Sequence, residues 1–295
     1  MCIRDSYLER ARRISSWEEV YPAVLGWRGQ QGGGLNTKQR VVWMFDHAEP
    51  ILGLSLMRPI LDALRTRYPG IFCAWIGEEA VGSQISKMLK EGRTVLSLDF
   101  SGFDHSLGPE LLNAARYVLK TWLANAHDRL DLVMDIMMHV GIVVPFQVWE
   151  DREGGMPSGT SLTNLVDTII NLIGCLYVAH RAGASILNVA ALGDDAVLQL
   201  ASEVDVQDVE GYFSELGLEV STQKQWVSDS SVHFLQNLHL ADAPDEGHHG
   251  IRSVYRSVNG MITYERIRRG WSKYCLLYTS PSPRDRTRSR MPSSA

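Results

Sequence analysis

An α+β fold, in which an antiparallel sheet is backed by helices, is what this sequence predicts, on three observations. Strand-length apolar runs and amphipathic helical stretches follow one another in the order strand, helices, strand pair, helix, strand. Two of those runs, 185–192 and 196–201, are joined through Gly193-Asp194-Asp195, turn chemistry that closes a β-hairpin with acids at its tip. A second acid pair, Asp99 and Asp104, follows directly on the strand-like run 94–100. Burying one carboxylate is costly, and two side by side cost more unless cations compensate. An isolated Asp-Asp turn reads as solvated surface. One acid from each of two neighbouring strands, facing one side, is instead the arrangement that holds two Mg2+ ions for phosphoryl transfer.

With 295 residues and 45% hydrophobic content, the chain can build one large domain or two ordinary ones around a full core. No run of about 18 apolar residues predicts a membrane span, and no apolar segment follows the charged first residues as in a secretory leader. Residues 1–6 and 275–295 resemble translated library-adapter sequence, and the end from 286 onward has a disordered Ser/Arg/Pro composition. Both ends are set aside, and the rest reads as a fragment of a longer frame. Cys73 and Cys175 then remain, reduced core residues with neither zinc spacing nor a disulfide framework. The set-aside tail carries Arg284, Arg286, Arg288 and Arg290, so a chain of net charge −5 becomes more acidic without it. A generic nucleic-acid binder is basic overall. Here such contacts must come from local basic clusters beside an acidic centre.

In chain order, residues 7–30 predict a helix and a loop, and Gly-rich 30–36 a flexible approach to a strand at 37–43. Lys38 and Arg40 point to one face of that strand, either as edge-protecting charges or as a cation pair for a triphosphate. Apolar spacing predicts a helix over 49–63 that Pro59 kinks or shortens. After the strand at 94–100, a helix begins at Pro109 and runs to about 126, its apolar stripe being core. A further helix covers 128–139 with Asp128 as N-cap and packing methionines. A strand at 141–150 leads to a turn at 151–155. Pro157-Ser158-Gly159 is a loop, and the helix after it turns Leu162, Leu165, Val166, Ile169 and Ile170 inward. Thr163, Asp167 and Asn171, four apart, share another face that lines a site. Beyond the hairpin come a helix over 206–216, a segment with Lys224, a strand over 232–240, an acidic loop and a basic helical stretch from Arg252 to Arg269.

Taken in order, these motifs make the stretch from about 37 to 269 resemble viral RNA-dependent RNA polymerases, nearest to those of partitivirus- and picobirnavirus-like double-stranded RNA viruses. The resemblance rests on Lys38-Gln39-Arg40-Val41-Val42-Trp43 as a basic fingers motif, Asp99-x4-Asp104, Ser158-Gly159-x3-Thr163 and Gly193-Asp194-Asp195. Residues 217–224 and Phe234-Leu235 fall where two further motifs stand. Each motif alone is weak, and their order carries the weight. The resemblance implies a right-hand polymerase palm, an antiparallel sheet backed by helices, with partial fingers and the start of a thumb. Its boundaries are partial fingers at 7–92, palm at 93–240 with a fingers insertion near 128–155, and the start of a thumb at 241–274. It further implies template-directed RNA synthesis from ribonucleoside triphosphates, with an RNA template, nascent RNA and a capsid protein as partners. The implied location is the host cytoplasm or the virion interior.

Phosphodiester synthesis needs a nucleophilic 3′-hydroxyl and a triphosphate whose charge is neutralised. Two Mg2+ ions bridged by Asp99 and Asp194, with Mn2+ able to substitute, serve both needs. Asp195 is an auxiliary ligand, less central than Asp194 by the resemblance. Lys38 and Arg40 suit a triphosphate clamp, and Lys224 is either a proton donor to pyrophosphate or a surface lysine. Asp104 can accept a hydrogen bond from a ribose 2′-hydroxyl, and the resemblance pairs it with the Ser158-Gly159 loop and a helix residue below. Many relatives carry Asn four residues after Thr163, where this chain has Asp167. Asn164 as substitute, Asp167 held protonated, and Asp167 bonded to Ser158 stand as alternatives. Rival readings are a reverse-transcriptase palm, disfavoured by Asp104 where a bulky residue is usual, and an inactive RNA-binding remnant. A Mg2+-dependent hydrolase would leave the Ser-Gly helix and the cation strand unexplained.

Overall fold

A computed structural model describes residues 3–31, 37–150, 152, 154–221, 225–242, 250–255 and 258, and the side chains of 3–4, 28–31 and 37–40 fall outside that description. The chain begins with α1 (Ile3–Arg13), β1 (Ala23–Gln31), β2 (Thr37–Met44), α2 (Ala48–Arg67) and α3 (Glu78–Lys90). Then come β3 (Val95–Leu98), α4 (Phe103–Ser106), α5 (Pro109–Trp122), α6 (His127–His139), β4 (Ile142–Val144) and β5 (Gln147–Trp149). The long α7 (Thr163–Arg181) precedes the hairpin β6 (Ile186–Leu192) and β7 (Asp195–Leu200), followed by α8 (Val206–Glu215). Short strands β8 (Trp226–Ser228), β9 (Ser231–Phe234), β10 (Asn237–Leu240) and β11 (Ile251–Arg252) complete the described chain.

The central sheet has the order β6-β7-β3-β8 with every pair antiparallel. Period-two alternation assigns its residues to two cores. Leu96 and Leu98 of β3, with Ala196 and Leu198 of β7, join the larger core built on α5, α7 and α8. Val95 and Val197 join the smaller one with Ile85, Met88, Val232 and Phe234 from α3 and β9. All four residues of β3 are therefore buried, and a sheet covered on both faces cannot slip register without exposing one of its apolar sets. The O–H of Ser97 donates to the His233 carbonyl and ties β9 to β3. Beneath the sheet, Phe213 of α8 meets Phe100 edge-on at 5.1 Å and lies against Gly174 of α7. Cys73 and Cys175 are free and buried, and burial pushes their thiols up to about 11 and about 12. A second sheet, β2-β1-β4-β5, and a third, β11-β10-β9, flank the first. Among the described residues no helix is long and apolar enough to cross a membrane.

The expected α+β layering is present, and several element readings need correction. The expected loop before residue 30 contains β1, whose register with β2 runs from Val24↔Met44 to Gln31↔Thr37. α2 is not shortened by Pro59 and continues past it to Arg67. Pro59 and Ser55 lie on the exposed face, so the carbonyl that loses its donor reaches water. Asp128 is not an N-cap, since α6 starts at His127 after Ala126 in a left-handed conformation (φ +68). The single strands expected at 141–150 and 232–240 are each a hairpin, turning at Phe146 (φ +75) and at Leu235-Gln236 (φ +51 and +64). Residues 32–36, most of 241–274, the tail from 275 and parts of the 151–155 turn lie outside the described residues.

Gly174 tests the packing of α7 on α8. A Cβ there would stand 2.6 Å from the Phe213 ring edge, so Gly174→Ala is expected to destabilise by about 1–3 kcal/mol. Urea unfolding checks this, and an unchanged midpoint would show that the ring has room to give.

Candidate active site

The β6–β7 turn is closed by the Leu192↔Asp195 pair, leaving Gly193 and Asp194 at its centre. Gly193 takes φ +62, the left-handed value that such turns ask of their first central residue. It is also buried, so its peptide groups need partners other than water. α7 supplies both. Thr168 Oγ1 accepts from the Gly193 N–H at 2.7 Å, and Asn171 Nδ2 donates to its carbonyl at 3.0 Å. Thr168 Oγ1 in turn donates to the Asn164 carbonyl at 2.6 Å. Thr168 escapes the sequence reading, and Asn171 enters it only as one residue of a stripe. The available signal is a hydroxyl and an amide on an otherwise apolar helix.

Asp99 follows β3. Continuing the Leu98↔Ala196 register by one residue sets it level with Asp195. On its other side Ser221 N donates to the Asp99 carbonyl at 2.8 Å, and Ser101 N donates to Glu219 at 2.8 Å. Asp99 and Asp195 are half-buried, and Asp194 is exposed. Asp104 rides on α4, whose N-cap Gly102 has φ +66. The Asp104 carbonyl accepts from Met156 N at 2.6 Å, which joins the turn bearing Asp104 to the loop leading into Ser158.

That loop is seated on β2. Ser158 Oγ donates to the Val41 carbonyl at 3.0 Å, and a Cβ on Gly159 would fall 1.8 Å from the Trp43 carbonyl oxygen, so only glycine permits this backbone approach. Thr163 Oγ1 donates to the Pro157 carbonyl at 2.9 Å and lies 2.7 Å from Thr160 Oγ1, fastening the loop to the start of α7. Arg152, which sequence reasoning did not single out, stacks on the Trp43 ring at 4.6 Å and donates to the carbonyls of Gly154 and Gly155. Burial lowers its guanidinium to about 10.

Asp167 lies beneath these elements, 5% exposed, and its Oδ1 has no hydrogen-bond partner among the described residues. Burial first, then the charges of Asp104 and Asp194, hold its carboxyl well above the usual carboxylate range. Residues from α4, the hairpin tip and α7 thus share one electrostatic environment. Of the three alternatives for Asp167, the bond from Ser158 is not formed, because that hydroxyl donates to Val41. Asn164 is exposed near Gly193. Burial and two neighbouring acids both work against a charge on Asp167. Lys38 and Arg40 stand in β2, opposite Gln30 and Arg28, with their side chains outside the description, and Lys224 lies outside the described residues.

Among the described residues no three acidic, His or Cys side chains are already gathered to hold a metal. The donors on offer are carboxylates alone, which suits a hard divalent ion. Such an ion takes one or two protein carboxylates and completes its sphere with water and phosphate oxygens.

A model of the viral RNA-dependent RNA polymerase family matches residues 7–249. The potential RNA-dependent RNA polymerase of Human picobirnavirus (strain Human/Thailand/Hy005102/-) is 34% identical over 259 residues, covering 83% of this chain and 47% of that protein. The RNA-directed RNA polymerase of Cryptosporidium parvum virus 1 is 27% identical over 236 residues, covering 73% of this chain and 44% of that protein. The crystal structure of the RNA-dependent RNA polymerase of a human picobirnavirus superposes with a TM-score of 0.78 at 31% identity, covering 84% of this chain and 48% of that one. The chain spans about half the length of these relatives.

An acid whose native pKa is raised stabilises the fold at low pH and loses that contribution as pH climbs from the ordinary carboxylate range through the raised value. Asp167→Asn removes this loss. In metal-free buffer it is expected to raise the melting temperature at pH 8, by about 2–4 °C per kcal/mol relieved, and to raise it less at pH 5. Thermal melts at the two pH values check this, and an unchanged or lower value at pH 8 contradicts a neutral Asp167.

Proposed function

Because this chain belongs to the viral RNA-dependent RNA polymerases and has their α+β right-hand fold, we propose that it carries the nucleotidyl-transfer centre of an RNA-directed RNA polymerase. It extends nascent RNA on an RNA template from ribonucleoside triphosphates, replicating or transcribing a viral genome. The observation that carries this reading is the shared environment of Asp104, Asp167 and Asp194, with Asp99 level with Asp195 across β3 and β7.

Asp99 and Asp194 hold the divalent ions, Mg2+ with Mn2+ able to replace it, and Asp195 is the auxiliary ligand. When bound, such ions make the 3′-hydroxyl more acidic and neutralise the triphosphate. Everything else falls to the chain's own residues. The pinned turn fixes where the Asp194 and Asp195 carboxylates stand before substrate arrives. Lys38 and Arg40 clamp the triphosphate, Arg through two parallel hydrogen bonds and Lys as a point charge. Lys224 gives a proton to the leaving pyrophosphate. Asp104 accepts from the ribose 2′-hydroxyl above a neutral Asp167, framed by Ser158 and Gly159. A deoxynucleotide leaves that acceptor unpaired, which is the basis of sugar choice. Residues 7–92 correspond to partial fingers, 93–240 to the palm with an insertion near 128–155, and 241–274 to the start of the thumb. A capsid protein is a further partner, and the host cytoplasm or the virion is the place of action.

Incorporation of labelled ribonucleotide by the purified chain on a primed RNA template tests the reading. Asp194→Asn is expected to reduce incorporation by more than the roughly 10–100-fold that losing an outer-shell metal partner costs. Undiminished incorporation, or none by the parent chain with either ion, would overturn the proposal. In the same assay Asp104→Ala is expected to lower the preference for ribo- over deoxynucleotides by at least about tenfold. Unchanged selectivity would place sugar choice elsewhere, and a parent chain that prefers deoxynucleotides would point to reverse transcription.

A further inference from the structure

We propose that Glu49 is a positioning residue for the Ser158-Gly159 loop, holding it from α2 through Ser161. Glu49 stands in the first turn of α2 and is fully buried. Its Oε1 accepts from both groups of Ser161, the N–H at 3.2 Å and the hydroxyl at 2.9 Å. One turn along, Gly53 leaves the space for that contact. A Cβ there would lie 1.7 Å from Ser161 Oγ and 3.4 Å from Glu49 Oε1. Glu49 and Gly53 together form a socket shaped to one side chain, and Ser161 stands two residues after Gly159.

The socket is itself anchored. Glu49 N donates to the Asp46 carbonyl at 3.0 Å, Asp46 Oδ1 accepts from Ala48 N at 3.2 Å, and Arg10 pairs with Asp46 at 2.6 Å. α7 makes no side-chain cap of its own at Leu162. Glu49 thus supplies, from a distant element, an acceptor for the residue that leads into the N-cap of α7. Its other oxygen, Oε2, is buried with no hydrogen-bond partner among the described residues, and burial lifts the carboxyl to about 7. A contact that served only stability would be better made by a group with every polar atom satisfied. What the costly acid obtains is a grip on both donors of Ser161, and through them a fixed seat for the Ser158-Gly159 loop on β2. The effect on nucleotide, as distinct from the contact itself, rests on the nucleotidyl-transfer reading.

Three variants test this: Glu49→Gln, Glu49→Ala, and Ser161→Ala, which spares the α2 core. Hydrogen exchange of the backbone over 156–162 reads the contact without need of activity. Primer extension then reads KM, kcat and sugar discrimination for ribonucleotides. Glu49→Ala is expected to speed exchange at Ser161 and to raise the ribonucleotide KM, each by about tenfold, and to weaken sugar discrimination, with kcat little changed. Ser161→Ala moves KM and discrimination the same way by a smaller factor. Glu49→Gln keeps the Oε1 acceptor and is expected to stay close to the parent in both readouts. Unaltered exchange in Glu49→Ala overturns the contact, and so does a Gln variant as impaired as the Ala variant. Faster exchange with unchanged KM and discrimination overturns the positioning role. If the parent chain incorporates nothing, the nucleotidyl-transfer reading fails by itself, and exchange alone decides whether Glu49 holds the loop.

Discussion

One buried peptide group governs the geometry of this chain. Gly193 sits at the tip of a hairpin, where turn residues are ordinarily hydrated, yet it is enclosed and must find its hydrogen bonds within the protein. Thr168 and Asn171 satisfy its N–H and its carbonyl from a single helix. This dictates much of the rest. α7 must pass directly under the turn, so its apolar residues Leu165, Val166, Ile169 and Ile170 bury against the sheet and neighbouring helices. Gly174 must let Phe213 close in from α8, and β3 must lie beside β7 with both faces covered. The adjacent carboxylates are then placed by a framework in which each neighbour is itself fixed.

The balance of charge inside this framework is uneven. Two acids, Asp167 and Glu49, are deeply buried with one carboxylate oxygen each left without a hydrogen bond among the described residues. Burial raises both, which is how a protein hosts an acid it does not neutralise with a cation. Burial and the nearness of Asp104 and Asp194 all work against a charge on Asp167. The half-buried Arg152 is the converse case. Its charge is spread over backbone carbonyls and the Trp43 ring, which leaves it holding a loop in place.

Where local chemistry decided the structure, it was readable. Gly193 followed by two acids between apolar runs announced the hairpin, and the apolar stripe of α5 announced a core helix. The misreadings share a cause. The turns at Phe146 and at Leu235-Gln236 use positive φ in residues that seldom adopt it, so no Gly or Asn marked a break and each hairpin passed for one strand. Pro59 looked like an obstacle because burial could not be seen, whereas its exposed face lets water replace the missing donor. Thr168 and Glu49 were invisible for a different reason. Their meaning lies in partners 25 and 112 residues away, and no pattern along the chain encodes such distances.

The seat of the Ser158-Gly159 loop joins these points. Among the described residues, Ser158 and Gly159 meet β2 at main-chain oxygens, those of Val41 and Trp43, and these two approaches ask nothing of the strand's side chains. The loop could not replace Gly159 with a larger residue, since any Cβ collides with backbone that cannot rotate away. Specificity for the contact therefore resides on the loop side, and positional authority on the strand side. Arg40 adjoins Val41 in the same strand, with Lys38 two residues before it. A displacement of β2 would thus carry Lys38, Arg40 and the Ser158-Gly159 loop together. Glu49 follows β2 by only a few residues and accepts from Ser161 just beyond the loop, so one short stretch of chain carries both the strand on which the loop is seated and the acid bonded at its far end.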